Sequence, residues 1–348
     1  MTTIVGLDAG NSEATLTFIP NKQGSALTLP SYVGSGNLAE LLRIRGGAGA
    51  EKLEADEYVL ELGGRSTFVG RLAIEQSRDA TAARGDVSRY WNGHSLRLLC
   101  TLAAAALKGD LVVRVVTGLP VSVWSKLAAK QVQQALVGEH RFMLNGKARC
   151  LRVEGVMVLM EGAGALVKEG SSEDVPQAVV DVGGRTTDLF WTQGMRPQPE
   201  RCKAAPIGIE KAGDLLCTQF QQRYGRELRR VELRSVFRAL ASGQALPPLF
   251  VDGKRVDVLT EAQDAIAAVG EEIASYVAAT WNSGESGKVA ADAARVLLVG
   301  GGAHYIAPHL KAIIPHIEIP RHPELANAQG YLGVGMQVPE AAWQKLRG

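Results

Sequence analysis

At 348 residues the chain has room for two ordinary domains, and with 46% hydrophobic residues it can build a core in each, which excludes a disordered chain. Its 38 Lys and Arg against 36 Asp and Glu leave a formal charge of +2, too even a balance for a whole-molecule nucleic-acid coat, although a local basic face stays open. Cys100, Cys150, Cys202 and Cys217 form no C-x-x-C pair and the six histidines no H-E-x-x-H, so the cysteines read as reduced core residues.

The opening MTTIVGLDAGNSEATLTFI has no basic leader ahead of a long apolar stretch, and the longest apolar run elsewhere, near Leu102 to Leu107, is too short for a bilayer. A cytoplasmic protein with no membrane partner is expected. TIVGLDAG reads as a strand feeding a tight turn, as do LVVRVVTGLP, AVVDVGGRTTD and RVLLVGGGAHYI further on. Between them, apolar residues recur with helical period over 71–78, 95–107, 125–137, 210–224, 231–240 and 262–281. This alternation is an α/β signature.

The stretch 29–69 differs, with GSGN, RGGAGAEKLEADE and LGGRS separating short β-prone pieces, and reads as a small inserted subdomain reaching to about residue 95, its loop at 46–56 expected to be mobile. At MEGAGALVKEGSSEDVPQ a small-residue helix start over 161–167 precedes a polar turn, the mark of a crossover between halves. The expected division is 1–164 plus 325–348 as one domain and 165–324 as the other.

The halves echo each other, GLDAGNSEATLTF in the first and VVDVGGRTTDLFW in the second, each a strand, a D-x-G turn and a hairpin partner. Gly lets backbone approach a ligand closely, so successive N–H groups can line a concavity for an anion. Asp8 and Asp181 cannot themselves accept phosphate oxygens. They make sense if a hard cation such as Mg²⁺, keeping several waters, lies between carboxylate and phosphate. Asn11, Ser12, Thr186 and Thr187 add donors. Read blandly, each D-x-G is only a hairpin turn that Asp and Gly favour anyway. Two, each with a β-prone tail and in opposite halves, favour a nucleotide.

Gly300, Gly301 and Gly302 open from a strand toward a helix, a layout that lets backbone pass against a flat or phosphorylated ligand, yet neither a P-loop nor a G-x-G-x-x-G is present. Glu161, beside small residues in LMEGAGAL, is the candidate to orient or deprotonate water, against the simpler reading of an acid favoured by the helix dipole.

Taken in order, GLDAGNSEATL, LPSYVG, VVTGLPVSVW, MEGAGAL, VVDVGGRTTDL, VLLVGGGAHYI and NAQGYLGVG resemble the actin-like ATPase superfamily, and within it the bacterial and archaeal actin-like proteins of the ParM/StbA plasmid-segregation type. The resemblance spans almost the whole chain. It implies an α/β, ribonuclease H-like duplicated fold with a nucleotide cleft between two similar domains that hinge near Glu161 and Ala328. It implies Asp8, Gly10, Asn11 and Ser12 as the first phosphate loop and Asp181, Gly183, Gly184, Arg185 and Thr186 as the second. Gly300 to Gly302 would be the adenosine loop, Glu210 and Lys211 ribose or base contacts, and Glu161 and Asp181 the catalytic acids, with Mg²⁺ held by Asp8 and Asp181 through water. The cofactors are then ATP, with GTP left open, and Mg²⁺. The partners are further copies of the chain in a filament and a DNA-binding adaptor, with no direct nucleic-acid contact.

Glu13 departs from the pattern, standing where relatives carry a small, polar or basic residue, and Ala-His-Tyr after Gly302 leaves base specificity open. The short tail after Tyr331 argues against the chaperone cousins. Two alternatives remain: a non-polymerising actin-fold ATPase that acts as a regulated binding module, and a sugar-type kinase. SRYWNGHSLRLL offers the kinase Asn92 and His94 but no acid at a strand end, so that reading would need activity dependent on Asp86.

Two surface features complete the reading. Arg226, Arg230, Arg234 and Arg238 recur every four residues and would stripe one helix face, with Leu233, Val236, Phe237 and Leu240 on another; the stripe is either a solvated face or a contact to an acidic neighbour. Trp91, Trp124, Trp191 and Trp281 read as packing residues and Trp343 as a tether for a C-terminal helix.

Overall fold

The structure, a computed structural model, describes residues 2–19, 24–46, 52–82, 86–109, 111–170, 174–194, 196–282 and 288–346. Part of the loop expected to be mobile, 47–51, lies outside the described residues. The chain divides into two compact units, Met1–Lys168 with Asn327–Gly348, and Glu169–Ala326.

In the first unit, β1 (Thr3–Ala9) turns back into β2 (Glu13–Phe18), which β3 (Ser25–Pro30) continues antiparallel. There follow β4 (Val33–Ser35), α1 (Leu38–Gly46), β5 (Tyr58–Leu62), β6 (Arg65–Val69), α2 (Arg71–Gln76) and α3 (His94–Ala106). Then come β7 (Leu111–Leu119), α4 (Lys126–Leu136), β8 (Gly138–Leu144), β9 (Lys147–Met160) and α5 (Ala163–Glu169), in which the unit boundary falls. Among the described residues these strands make one sheet in the order β3-β2-β1-β7-β9-β8-β5-β6-β4. Its main core joins Val5, Leu7, Leu16, Leu98, Leu102, Val113, Val115 and Val153, all at most 1% exposed. The 29–69 region adds strands to that sheet and packs a smaller core of Tyr32, Leu41, Val59, Phe68 and Leu72.

The second unit opens with β10 (Pro176–Val182), β11 (Thr187–Gln193), β12 (Arg196–Pro197) and β13 (Lys203–Ala205). It continues with α6 (Glu210–Tyr224), α7 (Arg230–Ser242), β14 (Leu249–Val251), β15 (Lys254–Val256), α8 (Leu259–Trp281), β16 (Arg295–Val299), α9 (Ala303–Ile313) and β17 (Ile317–Glu318). β10, β11 and β16 are continuous buried runs, as expected of strands covered on both faces. Trp191 and Trp281 meet edge-on at 5.2 Å in this core. The chain then returns to the first unit with α10 (Ala326–Gln337) and α11 (Glu340–Lys345). There Trp343, 1% exposed, packs with Val116 and Tyr331.

The echo read in the sequence is structural. The strand order is β3-β2-β1-β7-β9 in the first unit and β12-β11-β10-β16-β17 in the second. In both, the first two pairs are antiparallel and the last two parallel. The fold is therefore α/β with a duplicated actin-like sheet. The second copy inserts α6, α7 and the β14–β15 hairpin, which share their own core of Leu216, Phe220, Val236 and Leu249.

Several sequence expectations need correction. Residues 38–46 form a helix rather than β pieces: Asn37 Oδ1 accepts the Glu40 N–H at 3.0 Å as an N-cap, and Leu, Ala, Glu and Arg are good helix formers. Helix α5 begins at Ala163, so Glu161 stands in the turn before it, where the Gly162 N–H donates to Asn327 Oδ1 at 3.1 Å. The hairpin of β8 and β9, pairing 138–144 with 147–153, has no counterpart among the sequence expectations. Cys150 is exposed on it, not a core residue, while Cys100 is buried. Trp91 and Trp124, by contrast, pack as expected, half-buried against the main core of the first unit.

The four-arginine stripe is also shortened. Arg226 precedes α7, its guanidinium held by both Glu232 oxygens at 3.0 and 3.1 Å and by the Phe250 carbonyl, so only Arg230, Arg234 and Arg238 share the helix. Glu232 carries the opposing effects of burial, which disfavours its charge, and of Arg226 and Arg229, which win and hold its carboxyl down at about 2.

Candidate functional site

Ligands of open α/β sheets gather at the carboxyl ends of the parallel strands, and each unit carries its predicted residues there. In the first unit, Asp8 is the penultimate residue of β1, paired across the hairpin with Thr15. The turn is Gly10, Asn11 and Ser12, and a Cβ on Gly10 would lie 2.7 Å from the Glu13 carbonyl oxygen. The Ser12 carbonyl accepts from the Ser31 N–H at 3.0 Å, which ties the turn to the end of β3. Glu13 is exposed.

On the neighbouring parallel strands, β7 ends at Leu119, and the Leu119 carbonyl accepts the Glu161 N–H at 2.9 Å. A Cβ on Gly118 would lie 3.3 Å from Glu161 Cγ. Strand order β1-β7-β9 therefore sets Asp8 and Glu161 at the same end of one sheet, two strand spacings or on the order of 10 Å apart. Glu161 is half-buried.

In the second unit, β10 and β11 bracket a turn of Gly183, Gly184, Arg185 and Thr186, closed by a Gly183 N–H bond to the Thr186 carbonyl at 2.9 Å. The Gly183 and Gly184 carbonyls accept the N–H groups of Ile209 and Glu210 at 3.1 and 2.7 Å. Those donors belong to the first turn of α6, which would otherwise leave them unsatisfied. The loop and the positive end of the helix are thus locked together. Gly208 makes the approach possible, because a Cβ there would lie 2.4 Å from the Gly184 carbonyl oxygen. Sequence reading missed Gly208, whose only signal is its place in PIGIE just ahead of a helix.

The glycine triplet joins the same cluster. Gly300 has φ of +85°, and a Cβ on it would lie 2.4 Å from the Val182 carbonyl oxygen and 2.5 Å from Asp181 Oδ1. The Gly302 N–H donates to the Val182 carbonyl at 2.8 Å. Gly301 is exposed, with nothing within 4 Å of a Cβ. Asp181, the second loop, Gly300 to Gly302 and the start of α6 therefore converge.

Glu210 and Lys211 part company. Glu210 Oε2 lies 3.9 Å from Arg185 Nη1 of the loop, whereas Lys211 Nζ is held by both oxygens of Glu272 on α8 at 2.6 and 2.7 Å.

The two acids of VVDVGGRTTDLFW, Asp181 and Asp188, stand on the strands β10 and β11 and not in the turn between them. Asp181 and Asp188 are cross-strand partners, 7% and 1% exposed. Side chains of directly opposed residues share a sheet face, so like charges there are unfavourable unless something neutralises them. Burial and then the charge of Asp188 push the Tyr276 phenol up to about 12. Thr187 is wholly buried and spends its hydroxyl on the Ile207 carbonyl at 2.7 Å, so it is no donor to a ligand. Among the described residues no three His, Cys, Asp or Glu side chains cluster as metal ligands. Single carboxylates, or the opposed pair, suit a cation that keeps its waters and takes further oxygens from phosphate, as Mg²⁺ does.

A sheet duplicated in this order, with a D-x-G hairpin on the first strand of each copy, defines an actin-fold protein. Residues 6–164 match the family model described as actin-like proteins, N-terminal domain, and residues 179–312 that of the archaeal actin homologue MreB-like, C-terminal. The chain belongs to the actin-like proteins.

Among solved structures, Ta0583, an archaeal actin homologue, superposes with a TM-score of 0.77 at 19% identity over 97% of this chain and 100% of its own. ParM from Clostridium botulinum, solved as a 15-stranded filament, gives 0.76 at 20% over 97% and 99%. Bacillus thuringiensis ParM with ATP gives 0.69 at 17% over 97% and 98%. No curated protein matches the sequence. Among the described residues no helix is long and apolar enough to cross a membrane.

Proposed function

We propose that the protein is an ATPase that polymerises with bound nucleotide into actin-like filaments. The observation that carries this reading is the pair of D-x-G hairpins, Asp8-Ala9-Gly10 and Asp181-Val182-Gly183, on equivalent strands of the duplicated sheet. In this reading the turn at Gly10 to Ser12 and the turn at Gly183 to Thr186 hold phosphates by backbone N–H groups. Gly300 to Gly302 carry the adenosine and Glu210 the ribose, while Glu161 orients the attacking water. Mg²⁺, held through water by Asp8 and Asp181, would supply charge neutralisation at the phosphates. Lys211, already bound to Glu272, drops out of the contact set.

Support for assembly comes from kinship: the C. botulinum ParM was solved as a filament, and Ta0583 and the B. thuringiensis ParM with ADP and ATP respectively. The filament would move DNA through a separate DNA-binding adaptor, consistent with the nearly even charge of the chain. Sedimentation with Mg²⁺ and ATP, a non-hydrolysable analogue, ADP or no nucleotide tests this. Pelleting with the triphosphates and less with ADP is expected. Phosphate release without pelleting in any tube would instead indicate an actin-fold ATPase that works by binding a partner.

A further inference from the structure

The segment around Asp86 to His94 has no part in the site above, yet it places a fully buried charge against the first hairpin. Arg89, in the short turn Val87–Tyr90, is 2% exposed. Its Nη2 donates to the Ala9 carbonyl at 2.5 Å and to the Tyr90 hydroxyl at 3.2 Å, and its Nη1 to the Ala82 carbonyl at 3.4 Å. The guanidinium lies 4.6 Å from the centre of the Tyr90 ring. Every acceptor is neutral. Asp86 caps the same turn through Ser88, which holds its carboxyl low, and the charge of Arg89 is the least of the causes.

Asp86, the acid that feels this charge, is exposed and already bonded to Ser88, so it gives no buried counter-charge. Among the described residues Arg89 forms no ion pair, and its hydrogen bonds go to neutral oxygens alone. His94 is buried nearby, and burial first, then the charge of Arg89, lowers its pKa to about 4, so it is neutral. His94 Nε2 and Ser31 Oγ are both buried and have no hydrogen-bond partner. Buried cations are normally paired with an anion, since an uncompensated one is strongly destabilising.

We propose that the missing counter-ion of Arg89 is the polyphosphate of the nucleotide, making Arg89 a positioning residue that favours triphosphate over diphosphate at the first loop. This rests on the nucleotide-binding reading given above. Ala9 lies between Asp8 and Gly10, so the guanidinium holds the last residue of β1 just where the phosphate turn begins. From beneath the turn its field acts through buried protein that salt screens weakly. With a phosphate on the order of 8 Å away and an effective dielectric of about 20, each unit of ligand charge gains roughly thirtyfold in affinity. ATP, with more negative charge than ADP, gains more.

Arg89→Met and Arg89→Lys test this through thermal unfolding and nucleotide titration of the full chain, without nucleotide, with Mg²⁺–ATP and with Mg²⁺–ADP. In R89M the nucleotide-free protein should melt at or above the wild-type temperature, because a lone buried charge is gone. Its ATP-over-ADP preference should shrink roughly thirtyfold, for the one extra unit of charge, and its ATP affinity should fall by more, while R89K keeps that preference. An R89M protein that melts lower but keeps the wild-type preference overturns the proposal and leaves Arg89 a structural residue. If R89M does not fold, R89K decides: a preference lost although the charge is kept overturns it equally. A wild-type protein that binds neither nucleotide removes the underlying reading instead, before any variant is compared.

Discussion

Gly300 offers the sharpest test of how the second-unit cluster is built. At its φ of +85° any other residue costs on the order of 1–3 kcal/mol. The methyl of Gly300→Ala would also fall 2.4 Å from the Val182 carbonyl oxygen and 2.5 Å from Asp181 Oδ1, so backbone or carboxylate must shift, at about another 1–3 kcal/mol. The sum is about 2–6 kcal/mol, or roughly 4–24 °C in melting temperature for a unit of this size. Gly301→Ala is the matched control. Nothing lies within 4 Å of its added methyl, and its stability should stay within about 0.5 kcal/mol of wild type.

Thermal unfolding of both variants, with nucleotide titration of each, separates packing from ligand contact. G300A should melt much lower and lose nucleotide, since Asp181 and the Val182 carbonyl are displaced together. G301A should melt like wild type, and any affinity it loses reports on the ligand alone. A G300A protein that melts within a degree or two of G301A would refute the packing described for the triplet.

Further expectations follow from single groups. Glu161→Gln should keep nucleotide and slow its hydrolysis on the order of 10²-fold, while Asp181→Asn should weaken Mg²⁺-dependent binding itself; equal turnover in both and in wild type removes these roles. His94 falls from 6.5 to about 4 on folding, mainly through burial, so the unfolded chain binds more protons between those values. Its contribution is complete above about pH 6.5 and is lost as pH falls toward 4, up to about 3 kcal/mol. Denaturant unfolding of His94→Leu across that range should show a flatter slope than wild type. Glu232, held down at about 2 from 4.5 by Arg226 and Arg229 against the cost of burial, contributes above pH 4.5 and fades as pH drops toward 2. Glu232→Gln should cost about 1–2 kcal/mol at pH 7, measured the same way, and almost nothing near pH 2.

Much of the fold was legible because its signals were local. The buried run AVVDV could only be a covered strand, and the helix at 210–224 has the bounds its pattern gave. Helix α8 starts at Leu259, three residues before the pattern became clear. What escaped was set by distant partners or hidden by neighbours. The Asn37 cap was lost among flanking glycines. The β8–β9 hairpin is half exposed and rich in Arg and Lys, so it lacks an apolar run.

The phosphate turns were legible as Asp and Gly patterns, but what surrounds them was not. Nothing in the spacing of PIGIE says that Gly208 lets loop and helix touch, nor does SRYWNG announce an arginine buried against Ala9. Lys211 was a ligand contact by resemblance alone, and nothing local shows that Glu272, 61 residues away, holds it. Arg226 looked helical because the capping of α7 by Glu232 sits inside its four-residue spacing.

The most direct test of the account is a single time course of light scattering and phosphate release after Mg²⁺–ATP is added to the purified protein. The account predicts that scattering rises first, that phosphate follows, and that scattering decays as ATP is exhausted. Phosphate release at constant scattering, or scattering that rises as well without nucleotide, would contradict it.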